Sequence, residues 1–255
     1  MDTAGIENKN WSSLFFRFTI VMNFENKVVL ITWASDGLGR ATAERFINLW
    51  AVVIGIAKTQ EKLDALASEL WNNFYSFHAD LSNKNELNIV YDTIWKQFPV
   101  IDVLINNAAI WYEWSVLDHD LDILQSLIMT NIFSVMWSVY KALPRMRKNK
   151  SGQILNINSI AGVDGCKDRS PYSGTKFAIT WYTKWLGEEA AQYGVKVMQL
   201  HPWWMNTNIF ESYQPWYGLH DWMMDKERVV DVIITMLSQP EDMIVESVVV
   251  RKFTS

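Results

Sequence analysis

The chain has 255 residues, 49% of them hydrophobic, and a formal net charge of -5, which suits one large α/β domain with a buried core. Mild acidity without a basic run excludes a nucleic-acid footprint and an attraction to anionic membranes. One cysteine, Cys166, excludes an internal disulfide and suits a reducing cytoplasm, while His78, His119, His201 and His220 lack metal-ligand spacing, so no metal is expected.

Residues 1–21 have no clear period. The apolar run from Leu14 to Met22 is broken by Arg17, is too short to span a bilayer and lacks a small-residue cleavage site. It reads as an upstream extension, a disordered tail or a miscalled start, with the folded domain over 22–255. From Lys27 onward, apolar runs rich in Val and Ile fall at 28–32, 51–57, 73–79, 102–106, 153–158, 195–200 and 244–250. Helical-period segments separate them at 38–49, 60–70, 84–97, 121–147, 171–193 and 227–238. Buried parallel strands with crossover helices read this way. The expected fold is a single doubly wound, Rossmann-like α/β domain, a seven-stranded parallel sheet flanked by helices. Its ligand crevice belongs at the carboxyl ends of the strands where strand order reverses, an edge shared by Thr32, Asn107, Ser159 and Pro202.

Within Ser170-Pro171-Tyr172-Ser173-Gly174-Thr175-Lys176 a phenol and an ammonium stand four residues apart at a helix start, and therefore on one face. Ser170 is a candidate cap and Pro171 suits the first turn. A neighbouring cation favours phenolate and is expected to bring the tyrosine pKa below its usual value of about 10, making a proton donor usable near neutrality. Thirteen residues before Tyr172 lies Ser159, at the end of an apolar strand, and Asn131 follows an amphipathic stretch. Near the front, Thr32-Trp33-Ala34-Ser35-Asp36-Gly37-Leu38-Gly39 joins the first strand to a helix.

Together these segments resemble the short-chain dehydrogenase/reductase family over roughly residues 24–250. The resemblance implies a dinucleotide pyrophosphate on the first turn, which the family writes Thr-Gly-x-x-x-Gly-x-Gly. Here Thr32, Ser35, Asp36, Gly37, Leu38 and Gly39 occupy that turn, with Trp33 at the first glycine. Asp80-Leu81 is similar to the adenine-contacting pair. Asn107-Ala108-Ala109 is similar to the Asn-Ala-Gly loop, with its glycine replaced by alanine. Pro202 and Thr207 match the segment that holds the nicotinamide carboxamide, with Trp203 at its glycine. At the end of the second strand, Ala57-Lys58-Thr59 offers an ammonium and no carboxylate, so NADP(H) is expected over NAD(H).

The resemblance also implies roles. Tyr172 exchanges a proton with a carbonyl or alcohol oxygen. Lys176 lowers the tyrosine pKa and holds the nicotinamide ribose, Ser159 bonds the substrate oxygen, and Asn131 holds a water that relays protons to Lys176. A homodimer or homotetramer through the helices bearing Asn131 and Tyr172 follows from the same likeness, as does a lid over the substrate at 210–224. The expected activity is a cytoplasmic oxidoreductase transferring hydride between NADP(H) and a small carbonyl or alcohol substrate.

The composition is odd for such a fold. About 18 glycines are expected at average usage, yet the chain has 11 glycines beside 14 tryptophans. Trp33 and Trp203 fall on family glycine positions. Trp50 stands at a helix C-terminal position suited to glycine, and Trp111, Trp114, Trp181, Trp204 and, more weakly, Trp71 are similar cases. Either the indoles are real and the chain is a catalytically silent dinucleotide-fold binding or assembly protein, or UGA codons meaning glycine stand behind them.

Overall fold

The computed structural model describes residues 23–70, 73–165, 167–210 and 218–253. The extension, Cys166, Trp71 and residues 211–217 of the expected lid lie outside the described residues. Strands β1 (Val28–Thr32), β2 (Val52–Ala57), β3 (Phe74–His78), β4 (Val103–Asn106), β5 (Gly152–Ile157), β6 (Val195–Pro202) and β7 (Ser247–Val250) form one sheet in the order β3-β2-β1-β4-β5-β6-β7. Every neighbouring pair is parallel. Order reverses between β1 and β4, which places a crevice beyond Thr32 and Asn106.

Alternation along the central strands divides the core. Val29 and Ile31 of β1 point into one apolar layer with Phe46, Leu63, Val230 and Ile233. Leu30 lies between them in sequence and faces the other layer, with Tyr91, Ile94, Leu104 and Met146. Successive strand side chains take opposite faces, so a continuous apolar run is what a sheet covered on both sides requires. The covering helices are α1 (Gly37–Asn48), α2 (Gln60–Leu70), α3 (Lys84–Gln97), α4 (Leu121–Ile128), α5 (Ser134–Asn149), α6 (Ser170–Ala191) and α7 (Lys226–Leu237).

Two local expectations are corrected. The helix read as continuous over 121–147 is α4 and α5 joined by a π-helical turn, Met129–Phe133, which buries Asn131. Ser170 is the first helical residue of α6 rather than its cap: Arg169 holds the N-cap position without a side-chain cap bond, and Pro171 sits in the first turn.

Buried polar groups then tie α6 to the sheet. Asn106 Nδ2 donates to Asn156 Oδ1 at 2.8 Å, and Asn156 Nδ2 donates to Thr183 Oγ1 at 2.8 Å, a chain from β4 through β5 into α6. At the opposite edge the Asp102 carboxylate accepts from the Val28 N–H at 2.9 Å and from Lys27 Nζ at 3.1 Å, joining the starts of β1 and β4.

Candidate active site

At the carboxyl ends of β1, β4, β5 and β6 lies a cavity of about 300 Å³, lined by Trp33, Asp36, Gly37, Leu38, Asn107, Ala109, Ser159, Tyr172, Lys176, Pro202, Trp203 and Thr207, among others. Eleven of the candidate residues therefore share one space. Behind its wall, Thr32 Oγ1 accepts from the N–H groups of Asn107 and Ala108 at 2.9 and 3.0 Å, and Asn107 Nδ2 donates to the Thr32 carbonyl at 3.0 Å. These bonds lock the β1 and β4 loops together. Gly39 is fixed by proximity, since a Cβ there would lie 2.2 Å from the Trp33 carbonyl oxygen. Ser35 and Ala108 are buried beside this turn.

The α1 N-terminus opens into the cavity. Asp36 caps it, accepting from the Gly37 N–H at 2.7 Å, and its carboxylate also pairs with Lys62 and accepts from Asn208 Nδ2. Burial pushes this carboxyl upward, but the Lys62 ammonium, the Gly37 N–H and the Asn208 amide outweigh it and hold it below the usual carboxylate range. Lys58, Asp80 and Leu81 stand at the ends of β2 and β3, outside this cavity. Lys58 is exposed, whereas the Asp80 carboxylate is engaged by Ser82, accepting from its N–H at 2.8 Å and its hydroxyl at 2.7 Å.

Tyr172, Lys176 and Ser159 all line this cavity. Tyr172 and Lys176 are both buried, one turn apart on α6, and Ser159 follows β5. The phenol pKa is not lowered: burial pushes it to about 12, opposed by a hydrogen bond with the Ser159 side chain and by the charge of Arg169. The Lys176 ammonium donates to the Ile157 carbonyl at 3.4 Å, and burial lowers its own pKa to about 8. The cation expected to act on the phenol is thus replaced by Arg169. Its Nε donates to Glu113 Oε2 at 2.6 Å, and its guanidinium lies 4.7 Å from the Trp204 ring centre.

Asn131 does not reach the cavity with its side chain. Its Oδ1 accepts from the Ile110 N–H at 2.8 Å, and its Nδ2 donates to the Ile110 carbonyl at 2.9 Å and to Thr175 Oγ1 at 3.2 Å. The amide therefore clamps the loop after Asn107 against α6. Sequence reading missed Arg169, Glu113 and also His201, whose Nδ1 lies 3.0 Å from the Ser159 carbonyl. A carbonyl only accepts, so that nitrogen carries the proton. An arginine three residues before the tyrosine was the one available signal; Glu113 is 56 residues away from it in sequence.

A nicotinamide dinucleotide fits this cavity in part. Tyr172, Ser159 and Lys176 are the donors its carbonyl chemistry requires, and the capped α1 start presents the N–H groups that favour a pyrophosphate. Positions 33 and 203 do not fit, because both indoles line the space the turn and the Pro202 segment should leave open.

The descriptor short chain dehydrogenase matches residues 27–218. An uncharacterized oxidoreductase of Staphylococcus aureus strain MW2 is 30% identical over 227 residues, 89% of this chain and 97% of that one. The crystal structure of a short-chain dehydrogenase from Streptomyces avermitilis superposes with a TM-score of 0.80 at 26% identity, covering 88% of each chain. An alcohol dehydrogenase of the archaeon Thermococcus sibiricus, complexed with 5-hydroxy-NADP, shares the fold with a TM-score of 0.82 at 21% identity over 89% of this chain and 97% of that one. With the sheet order, the cavity and these likenesses in agreement, the chain belongs to the short chain dehydrogenase family.

Proposed function

We propose that this protein is an NADP(H)-preferring oxidoreductase acting on a small carbonyl or alcohol, with Tyr172 as the acid/base. The observation that carries the reading is the convergence of the Tyr172 phenol, the Ser159 hydroxyl and the Lys176 ammonium in one largely apolar cavity. Bound nicotinamide supplies or accepts the hydride. Tyr172 stays protonated at neutral pH, so it is poised to donate to a carbonyl oxygen as negative charge develops there. Ser159 shares the hydrogen bond to that oxygen, and the positive charge of Arg169 favours the phenolate left behind.

Lys58 supports the choice of NADP(H): it is exposed at the end of β2, where no carboxylate stands to bond a ribose 2′-hydroxyl. A metagenomic short-chain oxidoreductase of the same fold, 24% identical over 92% of this chain and all of that one, was solved in complex with NADP, with a TM-score of 0.79. Self-association as a homodimer or homotetramer is supported by the apolar side chains exposed on α4, α5 and α6, namely Ile128, Met136, Tyr140, Phe177, Trp181 and Trp185. The single cysteine suits a reducing cytoplasm.

The test is NADPH oxidation with a panel of aldehydes and ketones, with the Tyr172→Phe variant alongside. Turnover by the parent and its loss in the variant support the reading. Equal rates in both would remove Tyr172 from the chemistry.

A further inference from the structure

We infer that positions 33, 50 and 203 carry glycine in the protein as the cell makes it, the tryptophans standing for UGA codons that the source organism reads as glycine. At 33 and 50 the backbone itself takes a glycine conformation. Trp33 has φ 56° and Trp50 φ 63°, the left-handed region that clashes with a Cβ. Among the described residues the other positive-φ positions without glycine are Asn26, Asp168 and Lys150. Asn and Asp enter that region readily through local hydrogen bonds, whereas a bulky aromatic residue there is an outlier.

Position 50 makes the case without any appeal to catalysis. Leu49 caps α1, the Trp50 N–H donates to the Ile47 carbonyl at 2.9 Å, and the Ala51 N–H donates to the Phe46 carbonyl at 3.0 Å. This pair of bonds is the Schellman helix ending, in which the residue after the cap is left-handed and usually glycine. The indole of Trp50 is 72% exposed, so it gains little burial to offset the strain. Compare Trp95, 8% exposed, with the Arg145 guanidinium 4.0 Å from its ring centre. That side chain is packed into the structure, as the Trp50 side chain is not.

Positions 33 and 203 make a second argument, and this part rests on the cofactor reading above. Both indoles line the cavity that holds Tyr172 and Lys176. Trp203 also packs on Trp222, with ring centres 5.7 Å apart. Without the two side chains, the space between the α1 start and the Pro202 segment, both of which already line the cavity, would be larger. One reassigned codon accounts for strain at 50, strain and obstruction at 33, obstruction at 203 and the shortage of glycine together. Independent substitutions would each have had to survive a defect of a different kind.

The experiment has three readouts. The first is the gene: UGA at 33, 50 and 203 is expected, and UGG at 33 and 50 overturns the inference. The second is peptide mass spectrometry of the protein purified from its source organism, where glycine at position 50 is expected and tryptophan there overturns it. The third compares the tryptophan-bearing chain with its Trp50→Gly and Trp33→Gly/Trp203→Gly variants. Trp50→Gly should raise the melting temperature by about 2–4 °C, and a fall would count against the inference. The double variant should bind NADPH at least ~10-fold more tightly by nicotinamide fluorescence, the size of a 1.4 kcal/mol change. UGA codons and a stabilising Trp50→Gly, with no NADPH binding by the double variant, would support glycine at these positions while sinking the cofactor reading.

Discussion

The Lys176 ammonium lies 5.7 Å from the centre of the Tyr172 ring and hydrogen-bonds the Ile157 carbonyl behind it. The two side chains share a helix face, as their spacing requires, yet burial rather than mutual charge dominates both pKa values.

Tyr172→Phe should lower kcat by about 10²–10⁴-fold, the range for losing a positioned general acid. The fold should survive, since the phenol's hydrogen bond is to the Ser159 side chain and the ring keeps its packing. Steady-state rates together with thermal melting check this; equal loss of melting temperature and rate would indicate a structural role.

Lys176 gives the alkaline side of the stability profile its sign. Its pKa falls from 10.5 unfolded to about 8 folded, so between those values the unfolded chain binds the proton and the folded chain does not. Stability contributed by this group therefore rises from pH 8 to 10.5, by ~3 kcal/mol at full burial. Lys176→Met should be more stable than the parent near pH 7, with the difference shrinking as pH rises. Chemical denaturation of both proteins across that range measures it.

Asn131→Leu leaves the Ile110 N–H and carbonyl without their partners, at ~1–3 kcal/mol per buried group. A fall of several degrees in melting temperature is expected, with altered substrate KM, because the loop it clamps carries Ala109 into the cavity. Asn131→Asp, which keeps the acceptor for the Ile110 N–H, should recover part of the stability.

Met136 and Tyr140 present apolar surface one turn apart on α5, with Tyr140 67% exposed. If the parent self-associates through this face, as proposed, the Met136→Glu/Tyr140→Glu variant should sediment as a monomer at concentrations where the parent does not. An unchanged parent-like assembly would move the interface elsewhere.

Much of the fold was legible in the sequence because buried parallel strands have few compositional alternatives: 28–32 and 102–106 read as strands with no partner known, and the structure has Val28–Thr32 and Val103–Asn106. The break between α4 and α5 was not legible, since Met129–Phe133 keeps an apolar helical period through a turn of different pitch. At the site, the Tyr172/Lys176 spacing was visible, but the pKa direction was not. Burial depends on what the rest of the chain lays over the phenol, and Arg169 gains its place there by pairing with Glu113 from a distant loop. Local pattern carries neither.

The Asn106–Asn156–Thr183 chain bears on how finely α6 is aimed. Grease permits a helix to slip along a sheet at little cost, because one methyl replaces another. Two amides and a hydroxyl do not, since a shift of one residue breaks directional bonds inside a dry layer. The chain therefore works as a detent: two turns from Lys176 it sets the axial position of the helix, and with it the height at which the Tyr172 oxygen stands over the cavity floor.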